Sequence, residues 1–463
     1  MTLKIPVPSD VTGVLNKMTK AGYEVYIVGG VIRDFLLKRP LYDWDMTTNA
    51  MPEEILKLFP DAFYDNKYGT VGIPREILSD KDTKLQSRPV EITTFRTEHG
   101  YSDSRHPDEV RWGKTLEEDL ARREFTISAM ALRPIQRKYT FELIDLHGGI
   151  RDLEDKLLRT VGDANQRFSE DALRMIRAVR IASQLGFAIE EATFAAIQAN
   201  AGNIRQISAE RVRDELLKIM ASDFPADGYL LLRNTGLGEY VLPEMEGAFG
   251  VEQKSPGRHH IYDVGTHAVE SLRNCPSKDS ITRLATLVHD AGKVKTQKIF
   301  PDGKITFFNH EMAGAKIAEK IAGRLRFSNN QKERFVTLVR WHQFTVDERQ
   351  TDSAIRRFIR NVGVENVMEM LALRTGDRLG GGAKMTSWRL EEFKKRLLEV
   401  QKQPFSVADL KISGLDVMEI KGISPGPAVG KYLQALFTEV EEKGLVNEKE
   451  ILIERLKGLV VDR

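Results

Sequence analysis

The sequence predicts an α+β chain, with a mixed-sheet head followed by a long helical body, and three observations carry that expectation. β-Branched and aromatic runs punctuated by glycine are concentrated in the first 150 residues, apolar residues recur at helical spacing after them, and 463 residues exceed what one hydrophobic core supports. The expected divisions are a head over 1–150, a helical neck over 151–252, a second helical domain over 253–380 and a helical tail over 381–463. Turn-forming stretches from Gln253 to Gly257 and from Gly380 to Gly382 mark the later boundaries.

In the head, Tyr23 to Val28 reads as a strand, Gly29-Gly30 as a tight turn, Val31 to Lys38 as a short helix and Tyr42 to Thr47 as a second strand. Asn49 is placed to cap a helix from Pro52 to Leu58, and Val90 to Phe95 and Phe141 to Asp145 read as further strands. Beyond the head, Ala172, Met175, Ile176, Val179 and Ala182 share one helical face, as do Val212, Leu216, Leu217 and Met220. Further helices are expected at Thr266 to Arg273, Ile281 to Val288, Ala313 to Ile321, Lys332 to Arg340 and Ser387 to Gln401.

No run of about 18 apolar residues occurs and the first residues lack a signal-peptide pattern, so a cytoplasmic protein without a membrane partner is expected. Cys275 is the single cysteine, which excludes an intrachain disulfide and a cysteine-cluster zinc site. Any metal must be held by carboxylates or histidines. A net charge of +2 leaves a nucleic-acid footprint to local patches, and Lys320 to Arg360, with ten Lys or Arg against four acids, is one candidate; a solvated helix face is the alternative.

Gly29-Gly30 entering a helix lets backbone amides approach phosphates, and Arg33 adds a fixed cationic fork. Taken alone this is an ordinary turn. One short helix later, Asp43 and Asp45 stand two apart on an expected strand, so their carboxylates face the same way. Like charges so placed repel unless a cation bridges them, and hard oxygen ligands beside substrate phosphates favour Mg²⁺. Glu91 in the next strand offers a third acid. Two ions held this way support in-line displacement at an α-phosphate, with pyrophosphate leaving.

The Gly-Gly-x-x-Arg-Asp and Asp-x-Asp segments resemble the nucleotidyltransferase signature of CCA-adding enzymes and bacterial poly(A) polymerases. The resemblance continues in order along the chain. Thr97 to Trp112, with Tyr101, Asp103, Arg105 and His106, is similar to the family's flexible loop; Asp119, Arg122 and Arg123 lie in a segment resembling its nucleotide-contacting motif. Glu124 and Ser128 depart from the Asp and Asn usual there. The resemblance implies a polymerase-beta-like head that adds C, C and A to the tRNA 3′ end from CTP and ATP, with Mg²⁺ on Asp43, Asp45 and Glu91, and no obligatory protein partner. An A-adding enzyme or poly(A) polymerase is the alternative within the family; a phosphohydrolase or a non-catalytic RNA-binding scaffold is the alternative outside it.

Asp171 and Arg174, three apart at the start of a periodic helix, offer one acceptor and several donors on one face, an arrangement able to imitate a base edge. An ordinary helix ion pair is the alternative. Family resemblance makes them the readers of the amine and ring acceptor shared by cytosine and adenine, with Glu170 orienting Arg174.

Six of the nine histidines lie between 259 and 342. Their order, with His267, His289, Asp290 and Asp377, resembles the ligand positions of HD phosphohydrolases, which implies a divalent transition metal or Mg²⁺ there; His310 and His342 are available for a second position. A scaffold kept for packing would read the same. In the tail, Leu410 to Asp416 and the glycine-rich Gly422 to Lys431 resemble the C-terminal region of such enzymes; amides of the glycine-rich turn are placed to touch RNA phosphates, and a plain turn connecting two helices is the equal alternative.

Overall fold

The computed structural model describes residues 1–64, 69–75, 89–99, 109–135, 140–253, 262–344, 346–347, 349–400, 407–443 and 445–461. Among the described residues, ten strands form in the first 150: β1 (Thr2–Lys4), β2 (Val25–Val28), β3 (Asp45–Thr48), β4 (Phe63–Tyr64), β5 (Thr70–Ile73), β6 (Val90–Thr94), β7 (Arg96–His99), β8 (Glu109–Trp112), β9 (Met130–Pro134) and β10 (Thr140–Asp145). Eight of them make one sheet in the order β1-β10-β9-β2-β3-β6-β5-β4, and β7 pairs with β8 separately. Only β3 and β6 run parallel, so the sheet is mixed.

The central strand β2 buries all four of its residues, the pattern expected of a β-branched and aromatic run covered on both faces. Its neighbour β3 buries Thr47 and Thr48, and their hydroxyls donate to the carbonyls of Thr93 (3.1 Å) and Glu24 (2.5 Å), so the polar groups cost little to bury. The second strand is shorter than expected, since Asp43 and Trp44 precede β3. Asn49 does not cap the next helix. Its Oδ1 accepts from Glu24 N, while the N-cap of Pro52–Leu58 is Met51, whose N–H donates to Glu54 Oε2 at 2.8 Å.

Four sheet strands had no clear sequence signal, the two-residue β4 among them. β1 is three residues long; β9, Met-Ala-Leu-Arg-Pro, is composed largely of helix formers; and β5 contains Gly72. A Cβ at Gly72 would stand 2.5 Å from Phe63 Cζ, so the paired aromatic ring of β4 occupies the space that glycine leaves.

Helices dominate the rest. In Leu173–Leu185, Met175, Ile176, Val179 and Ala182 are buried, and the residue before it, Ala172, is buried too; Ala209–Met220 buries Val212, Leu216 and Met220 but leaves Leu217 half-buried. The expected later helices form at Val264–Arg273, Ser280–Val288, His310–Arg324, Asn329–Trp341 and Trp388–Val400. The body is not wholly helical, because two-residue strands pair at Leu157–Leu158 with Ala188–Ile189 and at Lys298–Ile299 with Ile305–Thr306.

The chain packs into two compact units. One contains Met1–Gly247 with Lys278–Ser280 and Gly323–Phe327; the other contains Ala248–Ser277, Ile281–Ala322 and Ser328–Arg463. Gly380 stands just before the turn made by Gly381 and Gly382. It closes the helix Val367–Gly380, where a Cβ would meet Ser271 N at 2.5 Å, and Gly376 is equally close to Ser271 O, so both glycines let this helix approach Val264–Arg273. Of the other boundary stretch, Gln253 is buried and residues 254–257 lie outside the described residues. The tail encloses a small core of Leu410, Ile412, Val417, Leu436, Phe437 and Leu452, and its glycine-rich stretch links the helices Gly414–Lys421 and Pro427–Lys443.

Much of the basic run is paired internally. Arg324 meets Glu244 at 2.8 Å, Arg326 meets Glu210 at 2.9 Å, Arg360 meets Glu441 at 2.5 Å, and Arg356 donates to Glu441 O. Among the described residues no helix is long and apolar enough to cross a membrane.

Candidate active site

Strand register assembles the head's carboxylates. Val28 at the end of β2 pairs with Asp45, and Asp45 is in parallel register with Glu91 on β6. Neighbouring strands lie about 4.8 Å apart, so Asp45 and Glu91 share one face at adjacent positions. Asp43 is exposed, Trp44 is buried and Asp45 is half-buried, so the out-in-out alternation extends one step before the strand begins. Gly29 follows β2 with φ +84°, and a Cβ there would sit 3.2 Å from Asp45 Oδ2. Only glycine offers both that backbone conformation and room for the carboxylate. Gly30 opens the helix Gly30–Leu36, over which Arg33 folds back, held by Asp34 at 2.8 Å.

Asp119, on the helix Leu116–Ala121, is wholly buried and meets Arg122 at 2.7 Å and Arg123 at 3.1 Å. Burial would raise its carboxyl, but the two guanidiniums outweigh that and hold it below the usual aspartate range. It therefore anchors two arginines rather than facing solvent itself. Arg123 Nη1 comes within 3.8 Å of the position a Gly29 Cβ would take, which puts one of these cations over the glycine turn.

Glu124, one of the two departures from the family pattern, joins Arg177 at 3.1 Å. Burial alone would raise its carboxyl; Arg177, then Arg174, hold it down at about 2. A carboxyl depressed below its ordinary 4.5 contributes stability that is fully present above that pH and is lost as pH falls toward about 2. We therefore expect wild type to exceed Glu124→Gln by about 3 kcal/mol in denaturant unfolding at pH 7, with the gap narrowing from about pH 5 downward. A gap that does not change with pH would mean that Glu124 is not held ionised by this cluster.

Asp171 and Arg174 are built differently from the single helical face expected of them. Glu170 ends the helix Ala164–Glu170, Asp171 is extended between helices, and Arg174 lies in the first turn of Leu173–Leu185. Asp171 Oδ1 accepts from Leu173 N at 2.9 Å, and Oδ2 accepts from Arg211 at 2.8 Å. Glu170 bonds both Arg174 and Arg167, the latter at 3.0 Å, so it does hold Arg174. Arg211 and Arg177 were not singled out by sequence reasoning. Arg211 lies on the helix Ala209–Met220, and no spacing rule links it to Asp171; Arg177 follows Arg174 by three, a helical-neighbour signal that could have found it. Tyr101, Asp103, Arg105 and His106 lie outside the described residues, while β7 and β8 flank them as an antiparallel pair.

The second unit brings His267, His289, Asp290 and Asp377 together, joined by His310 and His342; His259 and His260 lie outside the described residues. The sets His267, His289, Asp290 and Asp290, His310, His342 each place their ligand atoms within 4.8 Å of one another. His289 Nε2 is buried and makes no hydrogen bond among the described residues, although Asp290 Oδ2 is 3.3 Å away. Burial opposes protonation of this ring, yet Asp290 and Asp377 push its pKa up to about 10, and both carboxyls are themselves held well below the usual range. This cluster therefore favours positive charge at its centre, which fits a cation. Lys293, at 2.6 Å from Asp290, and Arg374, at 2.9 Å from Asp377, were not read from the sequence, though Lys293 stands three after Asp290. A cleft of about 470 Å³ opens beside the group. Gly292 permits the construction: a Cβ there would stand 2.0 Å from His310 O.

Comparison with known proteins gives concordant matches. The poly(A) polymerase head-domain family matches residues 25–159, and a tRNA nucleotidyltransferase second-domain family matches residues 304–456. A CCA-adding enzyme of Limosilactobacillus reuteri is 31% identical over 96% of this chain and 95% of its own length. One from Geobacillus thermodenitrificans is 43% identical over 50% of this chain, and the match spans about half (53%) of that relative. The solved Bacillus stearothermophilus CCA-adding enzyme in complex with CTP is 27% identical, covers 97% of this chain and 96% of its own, and superposes with a TM-score of 0.70. The Thermotoga maritima CCA-adding enzyme complexed with tRNA, at 20% identity and a TM-score of 0.59, shares the fold.

Proposed function

Because the chain belongs to the family of CCA-adding enzymes, we propose that it adds C, C and A without a template to the 3′ end of tRNA, using CTP and ATP. The observation that carries this reading is the register placing Asp45 beside Glu91 under the Gly29 turn, with Asp43 two residues earlier. Asp43, Asp45 and Glu91 would hold Mg²⁺. When bound by these carboxylates, Mg²⁺ would supply the charge that lowers the pKa of the tRNA 3′-hydroxyl and that offsets the departing pyrophosphate. The 3′ oxygen bonds to the α-phosphorus of the nucleotide, the bond to the β-phosphate bridge breaks, and pyrophosphate leaves in line.

The chain's own groups orient this displacement. Amides of the Gly29-Gly30 turn and the guanidiniums of Arg33, Arg122 and Arg123 bind the triphosphate, with Asp119 fixing the last two. Asp171 accepts from the exocyclic amine of cytosine or adenine, and Arg174, held by Glu170, donates to the neighbouring ring acceptor. Tyr101, Asp103, Arg105 and His106 would belong to the counterpart of the family's flexible loop. In this reading 1–150 performs chemistry, 151–252 reads the base, 253–380 carries a second, HD-like metal site and 381–463 contacts RNA, in a cytoplasmic tRNA-processing enzyme. In the HD-like group, His267, His289, Asp290 and Asp377 would hold a divalent transition metal or Mg²⁺, which would supply phosphohydrolase chemistry.

Labelled CTP and ATP, offered separately and together with Mg²⁺ to tRNAs ending at the discriminator base, at C and at CC, test the assignment. The expected result is CCA on the first substrate and nothing further. ATP addition confined to the CC-ended tRNA, or open-ended adenylation, would replace it with an A-adding or poly(A) activity.

A further inference from the structure

A separate cavity of about 330 Å³ lies in the second unit, between the later turns of the helix Val367–Gly380 and the start of the helix Trp388–Val400. Arg374, Arg378 and Arg389 line it together with Ser387 and Trp388, and none of its lining residues is an acid. Guanidiniums gathered in this way repel one another, and a bound anion relieves the repulsion.

The cations are differently committed. Arg374 is engaged by Asp377 at 2.9 Å. Arg378, half-buried, makes no ion pair among the described residues. Its Nε donates to Lys384 O at 3.2 Å, and its two Nη groups make no hydrogen bond among those residues. The turn after the helix creates that tie: Gly382 N donates to Leu379 O at 3.0 Å and Ala383 N to Arg378 O at 2.9 Å, which brings Lys384 O back over the side chain. Backbone, rather than a carboxylate, therefore orients the fork. A guanidinium held through Nε keeps the geometry and the charge for bidentate contact with a phosphate.

Trp388 is 63% exposed, and the Arg389 guanidinium lies 5.2 Å from its ring centroid. An indole left this far in water forgoes burial of apolar surface, which a stacked base restores. Ser387 Oγ accepts from Leu390 N at 3.3 Å, so the electropositive end of the 13-residue helix Trp388–Val400 opens on the same cavity.

We propose that this cavity binds one nucleotide of a single-stranded RNA, with the phosphate on Arg378 and Arg389 and the base stacked on Trp388. The inference rests on the reading of the chain as a tRNA-processing enzyme, and it places an RNA contact away from the glycine-rich turn of the tail. Bases in a duplex are stacked on one another and leave none for an indole, so the strand is unpaired. A free triphosphate travels with Mg²⁺, whose protein ligands are carboxylates; a cavity lined by no acid suits the single charge of a diester instead. Stacking accepts every base, so binding depends on the backbone and on an unpaired base, whatever the sequence.

The full chain is titrated with an RNA hexamer whose 3′ end is blocked by fluorescein, which keeps it out of the head's reaction. Anisotropy reads affinity over a range of salt, and the difference in tryptophan emission between wild type and Trp388→Phe isolates Trp388 from the other three indoles. Saturable binding that quenches Trp388 is expected. Arg378→Ala should weaken it about tenfold and lower the salt slope by about 0.7, the loss of one phosphate contact on a single strand. Trp388→Ala should weaken it about tenfold with the slope unchanged, and Trp388→Phe less. Both side chains lie at the cavity edge, and circular dichroism of each variant checks the fold. Equal affinity for AMP or for a blunt duplex overturns the single-strand site, as does hexamer binding that neither Arg378→Ala nor Trp388→Ala changes, or no quench of Trp388. CMP and AMP incorporation into tRNA by the wild type, measured alongside, separates that failure from a failure of the tRNA-processing reading.

Discussion

Replacing Asp45 with alanine is expected to abolish incorporation of both CMP and AMP, by about 1,000-fold or more, while leaving the fold intact. Asp45 is the carboxylate on which the head's geometry converges. It pairs in register with Val28 at the end of β2 and with Glu91 on β6, and its Oδ2 sits in space that only Gly29 leaves open. Metal-centred charge stabilisation supplies several kcal/mol to phosphoryl transfer, so losing the central ligand costs roughly 4 kcal/mol in the transition state, about three powers of ten. Labelled CTP and ATP incorporation into tRNA at saturating Mg²⁺ reads the loss, and far-ultraviolet circular dichroism checks that the sheet survives. Activity within tenfold of wild type would remove Asp45 from the catalytic machinery.

Arg174→Ala is expected to produce the next largest effect, a loss of choice rather than of chemistry. CTP and ATP use should fall about 10- to 100-fold while GTP and UTP use does not, because a well-oriented polar pair is worth about 1–3 kcal/mol of discrimination. Arg211→Ala should erode the same discrimination less severely. Arg211 does not itself read the base; it holds Asp171 Oδ2 at 2.8 Å, which makes it a positioning residue whose role Arg211→Lys should partly restore. Competition among all four nucleotides in single-turnover incorporation separates this from general damage. Equal losses across the four would show that the neck supports the site without reading bases.

The chemistry of the head was legible because it is local. A glycine turn, an arginine four residues after Gly29 and two aspartates separated by one residue make a compact signal, and the alternation of exposed Asp43, buried Trp44 and half-buried Asp45 follows directly from it. Local patterning likewise anticipated the helix Leu173–Leu185 from its buried face. It failed where composition opposed packing. β9 is built largely of helix formers, yet it pairs with both β10 and β2, and β5 tolerates Gly72 because Phe63 covers it. In each case neighbouring strands outweigh intrinsic preference. At Gly380, just before the turn of Gly381 and Gly382, the missing side chain also lets two helices touch, a role that sequence does not reveal.

By itself, then, the sequence determined which chemical groups this protein owns and their order: three acids after a glycine turn, an Asp–Arg pair, and histidines interleaved with aspartates. Tertiary structure decided which of them meet. Asp45 lies beside Glu91 only through a parallel strand pairing, Asp171 is steadied by Arg211 from another helix, and Asp290 stands between two pairs of imidazoles drawn from four separate places in the chain. Spacing rules reach only one or two turns of helix or the next residue but one on a strand. Contacts across longer separations arise from burial and register, which are properties of the assembled fold.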